Sequence, residues 1–274
     1  MRYGMILPGG SAPEQLHQAT LAEESGWDGV FVWEAAYGVD AWSLLAAIAV
    51  RTTRVTIGTL LTPLPWRRPW KVASQVATVD QLSGGRVVLT VGIGAITDDL
   101  PRTGEVTELK ERAERLDEGI DLMRVLWEGG SGYHGRFYDY EAGTLDELAS
   151  MGGPVRPRIP IWTVAVWPRA KSMNRALRCE GAVPQYEGIG DDAQPEHARA
   201  VREYLDARGG SGIDLVAQGE TPAEDPEAAR AVVARWAGAG CTWWLETRWE
   251  MPHGSAARMR QVTERLKAGP PRAA

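Results

Sequence analysis

The sequence predicts a single (β/α)8 barrel, and three observations support this fold class. Short apolar or β-branched runs alternate with amphipathic helical patterns along the chain, eight of each. The length of 274 residues lies in the usual range of one such barrel. The first strand is followed by Pro8-Gly9-Gly10-Ser11, which is not the glycine-rich fingerprint of a dinucleotide-binding sheet. A doubly wound sheet is therefore the weaker interpretation.

The strand predictions rest on runs of β-branched, aliphatic and tryptophan residues bounded by glycine, proline or polar residues. They cover residues 3–7, 29–33, 54–60, 86–91, 159–164, 181–184, 213–217 and 241–246. The helix predictions rest on apolar residues at helical spacing, and several patterns end at a glycine such as Gly26, Gly84 or Gly209. They cover residues 13–25, 40–51, 69–82, 106–127, 169–179, 195–208, 225–238 and 255–267.

We predict one domain over residues 1–270. The longest stretch without a clear period is 128–158, which is rich in glycine, proline and aromatic residues. It contains Tyr133-His134-Gly135-Arg136-Phe137-Tyr138, a pattern typical of a small excursion. We therefore interpret 128–158 as a loop insertion before the fifth strand, not as a second domain.

Charge and hydropathy exclude several partners. The formal net charge is −6 with acidic and basic residues well mixed, so no positive field attracts a nucleic acid or an anionic membrane. No apolar run reaches the length of a membrane span, and the N-terminus enters a strand pattern without a signal-peptide pattern. We therefore expect a cytoplasmic protein that acts on a small molecule.

Cysteine, histidine and serine patterns exclude further site classes. Cys179 and Cys241 lie in apolar segments without Cys-x-x-Cys spacing, so we expect buried free thiols. No two histidines stand at metal-ligand spacing with an acid beside them, so no metal site is expected. No serine stands in Gly-x-Ser-x-Gly, which removes the commonest hydrolase interpretation.

The segment 80–94 is the most informative part of the chain. A helix end and the Gly84-Gly85 turn lead into a buried strand that runs to Gly92 and Gly94. Glycine lets a ligand approach the backbone closely, although Gly-x-Gly is also typical of a plain strand-to-loop turn.

Reacting groups in a (β/α)8 barrel come from the C-terminal ends of the strands. This rule selects eight candidate segments, in chain order: residues 8–11, 34–37, 59–62, 92–95, 165–167, 185–187, 218–220 and 246–253.

At these residues the sequence resembles the bacterial-luciferase-like family of flavin-dependent monooxygenases and their deazaflavin (F420)-dependent relatives. Four stretches carry the resemblance and together span nearly the whole chain: Ile57-Gly58-Thr59-Leu60-Leu61-Thr62-Pro63 and residues 83–94, 115–127 and 239–246. The resemblance implies a barrel in which the cofactor ring lies against a bulge after the third strand. It also implies a non-proline cis peptide bond, here matched to Thr59-Leu60, with Gly92 and Gly94 facing the ring.

The turn after the fifth strand departs from the family pattern. The resemblance implies that Val166-Trp167-Pro168-Arg169 meets the cofactor phosphate, where relatives usually have small residues. Pro168 offers no N–H group, so Arg169 at a helix N-terminus is the candidate that supplies charge. The alternative is that Arg169 is a solvated surface group.

The candidate catalytic residues are Glu34 and His253. Many relatives place an acid and a histidine after the second strand, whereas this chain has Glu34 followed by Ala35. Glu34 is a candidate proton donor or acceptor, and its alternative role is a buried acid paired with an arginine. His253 lies in a Pro-His-Gly loop after the eighth strand. The sugar-phosphate dehydrogenases of the F420 branch use an acid after Gly-x-Gly, where this chain has Ala95, which disfavours that activity.

Two functional hypotheses follow. The first is a luciferase-like oxidoreductase or monooxygenase that binds FMN, with F420 as the alternative because Arg67, Arg68 and Lys71 could hold its acidic tail. In this hypothesis Thr59, Leu60, Gly92, Gly94 and Arg169 bind the cofactor, and an apolar wall binds a small hydrophobic or aromatic substrate. The wall is formed by Trp33, Trp66, Trp162, Trp167 and Trp249. The second hypothesis is a cofactor-free barrel that binds or rearranges a small aromatic molecule. Relatives are often dimers, so a homodimer stays open.

Overall fold

The computed structural model describes residues 1–35, 37–96, 104–130, 132–141, 152–156, 158–247 and 256–272. Strands and helices alternate along the chain as the sequence predicts, and the long strands pair in parallel. The fold class is that of a (β/α)8 TIM barrel, which confirms the prediction.

The strands of the described residues are numbered in chain order. They are β1 (Arg2–Ile6), β2 (Gly29–Val32), β3 (Thr56–Thr59), β4 (Thr62–Pro63), β5 (Val87–Gly92), β6 (Gly132–His134), β7 (Asp139–Glu141), β8 (Ile161–Trp167), β9 (Gly181–Tyr186), β10 (Asp214–Gly219) and β11 (Trp243–Glu246). Every predicted strand overlaps one of them. The short β4 and the antiparallel β6–β7 hairpin were not predicted as strands, and the hairpin lies inside the predicted insertion.

The α-helices of the same residues also match the predicted series. They are α1 (Ala12–Glu24), α2 (Ala41–Arg51), α3 (Pro69–Ser83), α4 (Leu109–Glu128), α5 (Ala170–Ala176), α6 (Pro195–Asp206), α7 (Pro226–Gly238) and α8 (Ala256–Lys267). Helix α4 begins later than predicted because Glu108 is its N-cap. The Glu108 carboxylate accepts the backbone N–H groups of Lys110 at 2.9 Å and Glu111 at 2.6 Å.

The described residues form two compact units. Unit 1 contains residues 1–32, 54–57 and 161–274, and unit 2 contains residues 33–53 and 58–160. In unit 1 the parallel strands follow the order β2-β1-β11-β10-β9-β8. In unit 2, β4 pairs in parallel with β5, and α3 packs between α2 and α4. The one-domain prediction stays a prediction.

The core of unit 1 contains a cluster of aromatic rings. The ring of Trp162 stacks on Phe31 with centroids 5.4 Å apart and meets Trp243 edge-on at 5.4 Å. Gly181 leaves room for it, since a Cβ there would lie 2.1 Å from the indole. Trp162 is 1% exposed, so its predicted place on a substrate wall is corrected to a place in the core. It lies at the start of β8 and not at the C-terminal end, where ligand-facing residues are expected.

A buried polar network closes unit 1 between β11 and α8. Glu246 is fully buried, and its two carboxylate oxygens accept the backbone N–H and the hydroxyl of Thr221, both at 2.7 Å. Arg265 donates its Nε–H to the Thr221 hydroxyl at 2.9 Å and lies 3.6 Å from Glu246. A buried carboxylate needs such partners. Glu246, at the start of the last candidate segment, therefore has a structural role.

Arg86 ties together the C-terminal ends of α2 and α3 in unit 2. Its guanidinium donates to the carbonyls of Ala49, Thr52 and Ser83, each at 2.8 Å, and to the Thr52 hydroxyl at 3.0 Å. The last carbonyls of a helix have no partner within the helix, so one side chain satisfies two helix ends. Gly84 turns the chain out of α3 with a φ of 66°.

Asp80, the first residue of the segment 80–94, packs this segment against residues 155–156. Its carboxylate is fully buried, accepts the Val155 N–H at 2.9 Å and lies 3.1 Å from the Arg156 guanidinium. The helix end therefore holds residues 155–156 beside β5, where Arg156 also bonds the Val87 carbonyl.

The two cysteines are buried free thiols, as predicted. Burial raises the pKa of the Cys241 thiol to about 12. Within the described ranges, no helix combines the length and the apolar character needed to cross a membrane.

Arg86→Met should lower the free energy of unfolding by about 2–4 kcal/mol, because it leaves several helix-end carbonyls without a donor. Urea unfolding followed by circular dichroism measures the loss. Arg51→Met is the matched control, since Arg51 is exposed at the end of α2, and its loss should stay below about 1 kcal/mol. Equal losses for both variants would contradict the role of Arg86.

Candidate functional site

A cavity of about 650 Å³ lies in unit 2 beside the start of α3. Among the described residues, four cationic side chains and one acid line it, although the whole chain is acidic. We name it the cationic cavity, and its lining residues are Pro65, Trp66, Arg67, Arg68, Lys71, Gly104, Glu105, Val106, Arg115 and Tyr138. Arg67, Arg68 and Lys71 are the cations that the sequence analysis grouped.

Trp66 forms a fixed wall of the cationic cavity. Its Nε1–H donates to the Val106 carbonyl at 2.7 Å, and the Arg112 guanidinium lies 5.5 Å from the ring centroid. Arg112 also donates to the carbonyls of Ile93 at 3.1 Å and Gly94 at 2.8 Å. Burial lowers the pKa of Arg112. One arginine thus holds both the tryptophan ring and the loop after β5.

The two glycines of the Gly-x-Gly pattern make room for the protein's own side chains. A Cβ at Gly94 would lie 2.3 Å from the Trp66 ring, and a Cβ at Gly92 would lie 2.7 Å from Leu61. Gly94 also has a φ of +76°, which other residues rarely adopt. In this structure the space at the two glycines is taken by Trp66 and Leu61, so their predicted contact with a cofactor ring stays a prediction.

The bulge after β3 is present, with a non-proline cis peptide bond between Leu60 and Leu61. The predicted position, Thr59-Leu60, was wrong by one residue. Thr59 is fully buried, and its hydroxyl donates to the Thr90 carbonyl at 3.2 Å and accepts from the Thr62 hydroxyl at 3.1 Å. Thr59 therefore joins β3 to β5, while Leu60 is 7% exposed.

Glu34 forms an ion pair with Arg67. The Glu34 side chain is 6% exposed and the Arg67 side chain 24% exposed. The contact joins Glu34 Oε1 to Arg67 Nη1, whereas Glu34 Oε2 is buried and has no hydrogen-bond partner among the described residues. Arg67 Nη2 donates to Gln75 Oε1 at 2.8 Å, and burial lowers the pKa of Arg67. The alternative sequence interpretation, an acid paired with an arginine, describes this contact.

The other cations of the cavity differ in their partners. Arg115 bonds Glu111 at 2.7 Å and also the hydroxyl of Tyr138. Burial raises the pKa of Tyr138, and the hydrogen bond from Arg115 acts in the opposite direction. Arg68 lies 5.8 Å from the Trp70 ring centroid. Among the described residues, neither Arg68 nor Lys71 has a carboxylate partner.

In the predicted phosphate turn of unit 1, the candidate cation Arg169 already has an acidic partner. Arg169 forms an ion pair with Glu187, and both side chains are about half exposed. This hydrogen-bonded pair raises the pKa of Arg169 and lowers that of Glu187. The Val166 N–H donates to the Ser172 hydroxyl at 2.9 Å, and the Trp167-Pro168 bond is cis.

Two of the remaining predicted residues are described, one in each unit. The Trp167 ring meets Tyr204 edge-on at 5.5 Å in unit 1, and Trp33 is partly buried in unit 2. His253 and Trp249 lie outside the described residues. A search of the described ranges finds no cluster of His, Cys, Asp or Glu side chains able to hold a metal ion.

Sequence reasoning missed the contribution of Arg112, Tyr138 and Gln75 to this site. Arg112 and Arg115 stand three residues apart on α4, a spacing that puts both on one helix face and was a usable signal. Tyr138 lines the cavity from the loop of the β6–β7 hairpin, and no local sequence pattern predicts this contact.

Comparison with known proteins adds the family. Residues 2–273 match the model of the luciferase-like monooxygenase family. A curated relative, the F420-dependent glucose-6-phosphate dehydrogenase of Amycolatopsis mediterranei, is 40% identical over 161 residues, which is 55% of this chain and 46% of that protein. The chain spans about half the length of the curated relatives it matches.

Two solved structures share the fold over 97% of this chain. An F420-dependent secondary alcohol dehydrogenase in complex with an F420-acetone adduct gives a TM-score of 0.74 at 17% identity, with 97% of that chain covered. The monooxygenase RslO1 from Streptomyces bottropensis gives 0.74 at 22% identity, with 98% of that chain covered. At these identities the likeness supports the fold.

Gly94→Ala should lower the free energy of unfolding by about 2–4 kcal/mol, since the new methyl group meets the Trp66 ring and the positive φ strains any residue that has a Cβ. Gly104→Ala is the matched control: Gly104 also lines the cavity with a positive φ of +91°, but a Cβ there meets no described residue within 4 Å. The control should lose about 1 kcal/mol. Urea unfolding measures the loss of unfolding free energy in both variants. Equal losses would show that the contact between Trp66 and Gly94 does not contribute to stability.

Proposed function

We propose that this chain, which belongs to the luciferase-like monooxygenase family, is an F420-dependent oxidoreductase that moves a hydride between the cofactor and a small organic substrate. The cationic cavity is the observation that carries the choice of F420 over FMN. F420 ends in a long acidic tail, whereas FMN has one phosphate group. Four cations around one cavity suit a chain of several carboxylates better than a single anion.

The charge balance of the cavity supports this choice. Arg67 and Arg115 have carboxylate partners, so their charges are partly neutralised. Arg68 and Lys71 have none among the described residues, and Glu105 is the acid that lines the same cavity. Uncompensated cations in a partly enclosed space attract an anion more strongly than the same groups on an open surface. We assign Arg68 and Lys71 to the acidic tail.

The names of the relatives support the same cofactor. The curated relatives are named F420-dependent dehydrogenases, and one of the solved structures of this fold is an F420-dependent alcohol dehydrogenase. A related solved structure is a monooxygenase in complex with FMN, so FMN stays the second cofactor candidate. Glucose 6-phosphate is not part of this proposal, because Ala95 stands where the resemblance predicts an acid.

F420 supplies two-electron hydride chemistry when it is bound. Oxidation of a hydroxyl group also releases a proton from oxygen, and a carboxylate is a suitable acceptor. Glu34 is the acid we assign to this step, because its Oε2 is buried without a partner among the described residues while Oε1 is held by Arg67. Trp66 supplies an apolar wall next to the cations.

Arg68→Met and Lys71→Met should each weaken F420 binding by about 5- to 30-fold, the loss of one ion pair in a partly enclosed site. Binding is measured by fluorescence titration at low and high salt, with F420 and with a deazaflavin that lacks the tail. The tail-free deazaflavin should bind all variants equally. Lys110→Met is the control, since Lys110 is exposed on α4 outside the cavity.

Two results would contradict the proposal. Equal affinity of the unaltered protein for F420 and the tail-free deazaflavin would remove the role of the cavity. Tighter binding of FMN than of F420 would return the cofactor choice to FMN.

A further inference from the structure

The geometry points to Arg67 as a positioning residue that holds one oxygen of the Glu34 carboxylate and leaves the other, which is buried and has no partner among the described residues, to accept a substrate hydroxyl. This inference rests on the proposed function of Glu34. Arg67 lines the cationic cavity, so its position in that cavity alone suggests a further tail-binding cation beside Arg68 and Lys71. Its contacts set it apart from its neighbours.

Arg67 uses its two terminal nitrogens for two different side chains. Nη1 contacts Glu34 Oε1, and Nη2 donates to Gln75 Oε1 at 2.8 Å. A guanidinium is planar and its donors diverge in fixed directions, so bonding two partners fixes its orientation. Gln75 lies on α3, which anchors the guanidinium to a regular helix.

The two oxygens of the Glu34 carboxylate therefore have different surroundings. Glu34 is 6% exposed, Oε1 is occupied by Arg67, and Oε2 is buried without a hydrogen-bond partner among the described residues. A buried polar atom without a partner is costly, and such atoms in native structures call for an explanation. A substrate hydroxyl that bonds Oε2 would satisfy it. Arg67 then determines which oxygen is presented.

The neighbouring cations do not share this arrangement. Arg68 is the next residue and lines the same cavity, but its guanidinium lies over Trp70. Arg115 is bonded to Glu111 and Tyr138. Arg67 is therefore the cavity cation for which the structure shows a bond to Glu34, and its neighbour Arg68 provides a matched comparison.

A double-mutant cycle tests the inference. Arg67→Met should lower kcat about 100-fold at saturating F420 and substrate, similar to Glu34→Gln, because both remove the oriented carboxylate. KM for the substrate should change by less than about threefold. In the Glu34→Gln background, Arg67→Met should cost little further kcat, since residues that act as a unit are not additive. Arg68→Met combined with Glu34→Gln should instead give the product of the two single effects.

The same double-mutant cycle can be measured without any cofactor, with the midpoint of urea unfolding in place of kcat. Arg67→Met should lower the unfolding midpoint, because it leaves a buried carboxylate without a counter-charge, and the Glu34→Gln/Arg67→Met pair should recover part of that loss. If Arg67→Met does not fold, Arg67→Lys enters the same cycle, since lysine keeps the charge but loses the planar fork. Arg67→Lys should recover part of kcat relative to Arg67→Met.

The outcomes separate the two proposals. No F420-dependent turnover by the unaltered protein would overturn the proposed function. Turnover with independent effects of Glu34→Gln and Arg67→Met, in kcat and in the unfolding midpoint, would overturn the role of Arg67 and leave the function intact.

Discussion

The close fit between the Trp66 indole and the backbone of Gly94 fixes the wall on which the cationic cavity depends. The indole is held on three sides: its edge lies against Gly94, its N–H bonds Val106, and Arg112 lies over its face. A ring held in this way cannot turn without breaking a hydrogen bond in a partly buried site. Arg67 and Arg68 follow Trp66 directly in the chain. The fixed position of the ring therefore also restrains the backbone from which these two cations enter the cavity.

Local charge in this protein differs from the overall charge. The formal net charge of −6 argues against nucleic acids and anionic membranes, yet four cations share one cavity of unit 2. Screening in salt water limits the reach of charges to about 8–10 Å, so a distant excess of acids does little at the cavity. Net charge therefore bears on large anionic surfaces and carries no information about a small anionic ligand.

The sequence predicted features that depend on neighbours in the chain and missed features that depend on distant packing. The alternation of strands and helices and the grouping of Arg67, Arg68 and Lys71 follow from local pattern. The packing of Trp66 and Leu61 against Gly94 and Gly92 does not. The core position of Trp162 and the cavity position of Tyr138 depend on which residues face each other across elements. The cis bond was placed one residue too early because the pattern locates the bulge but not the peptide unit that flips.

The sequence offered two places for a cofactor anion, the turn at Arg169 and the group of Arg67, Arg68 and Lys71. The two places differ in how far their cations are already paired with acids. Arg169 is exposed and shares its charge with Glu187, so an incoming phosphate would compete with a carboxylate already in contact and with water. Arg68 and Lys71 are exposed as well, but they line the cationic cavity together with two further cations and have no such competitor among the described residues. An exposed pair contributes at most about 1 kcal/mol, so Glu187 alone does not exclude a phosphate at Arg169. Among the described residues, several cations meet in the cavity of unit 2 without a matching number of acids, which supports the proposal that this cavity binds a polyanion.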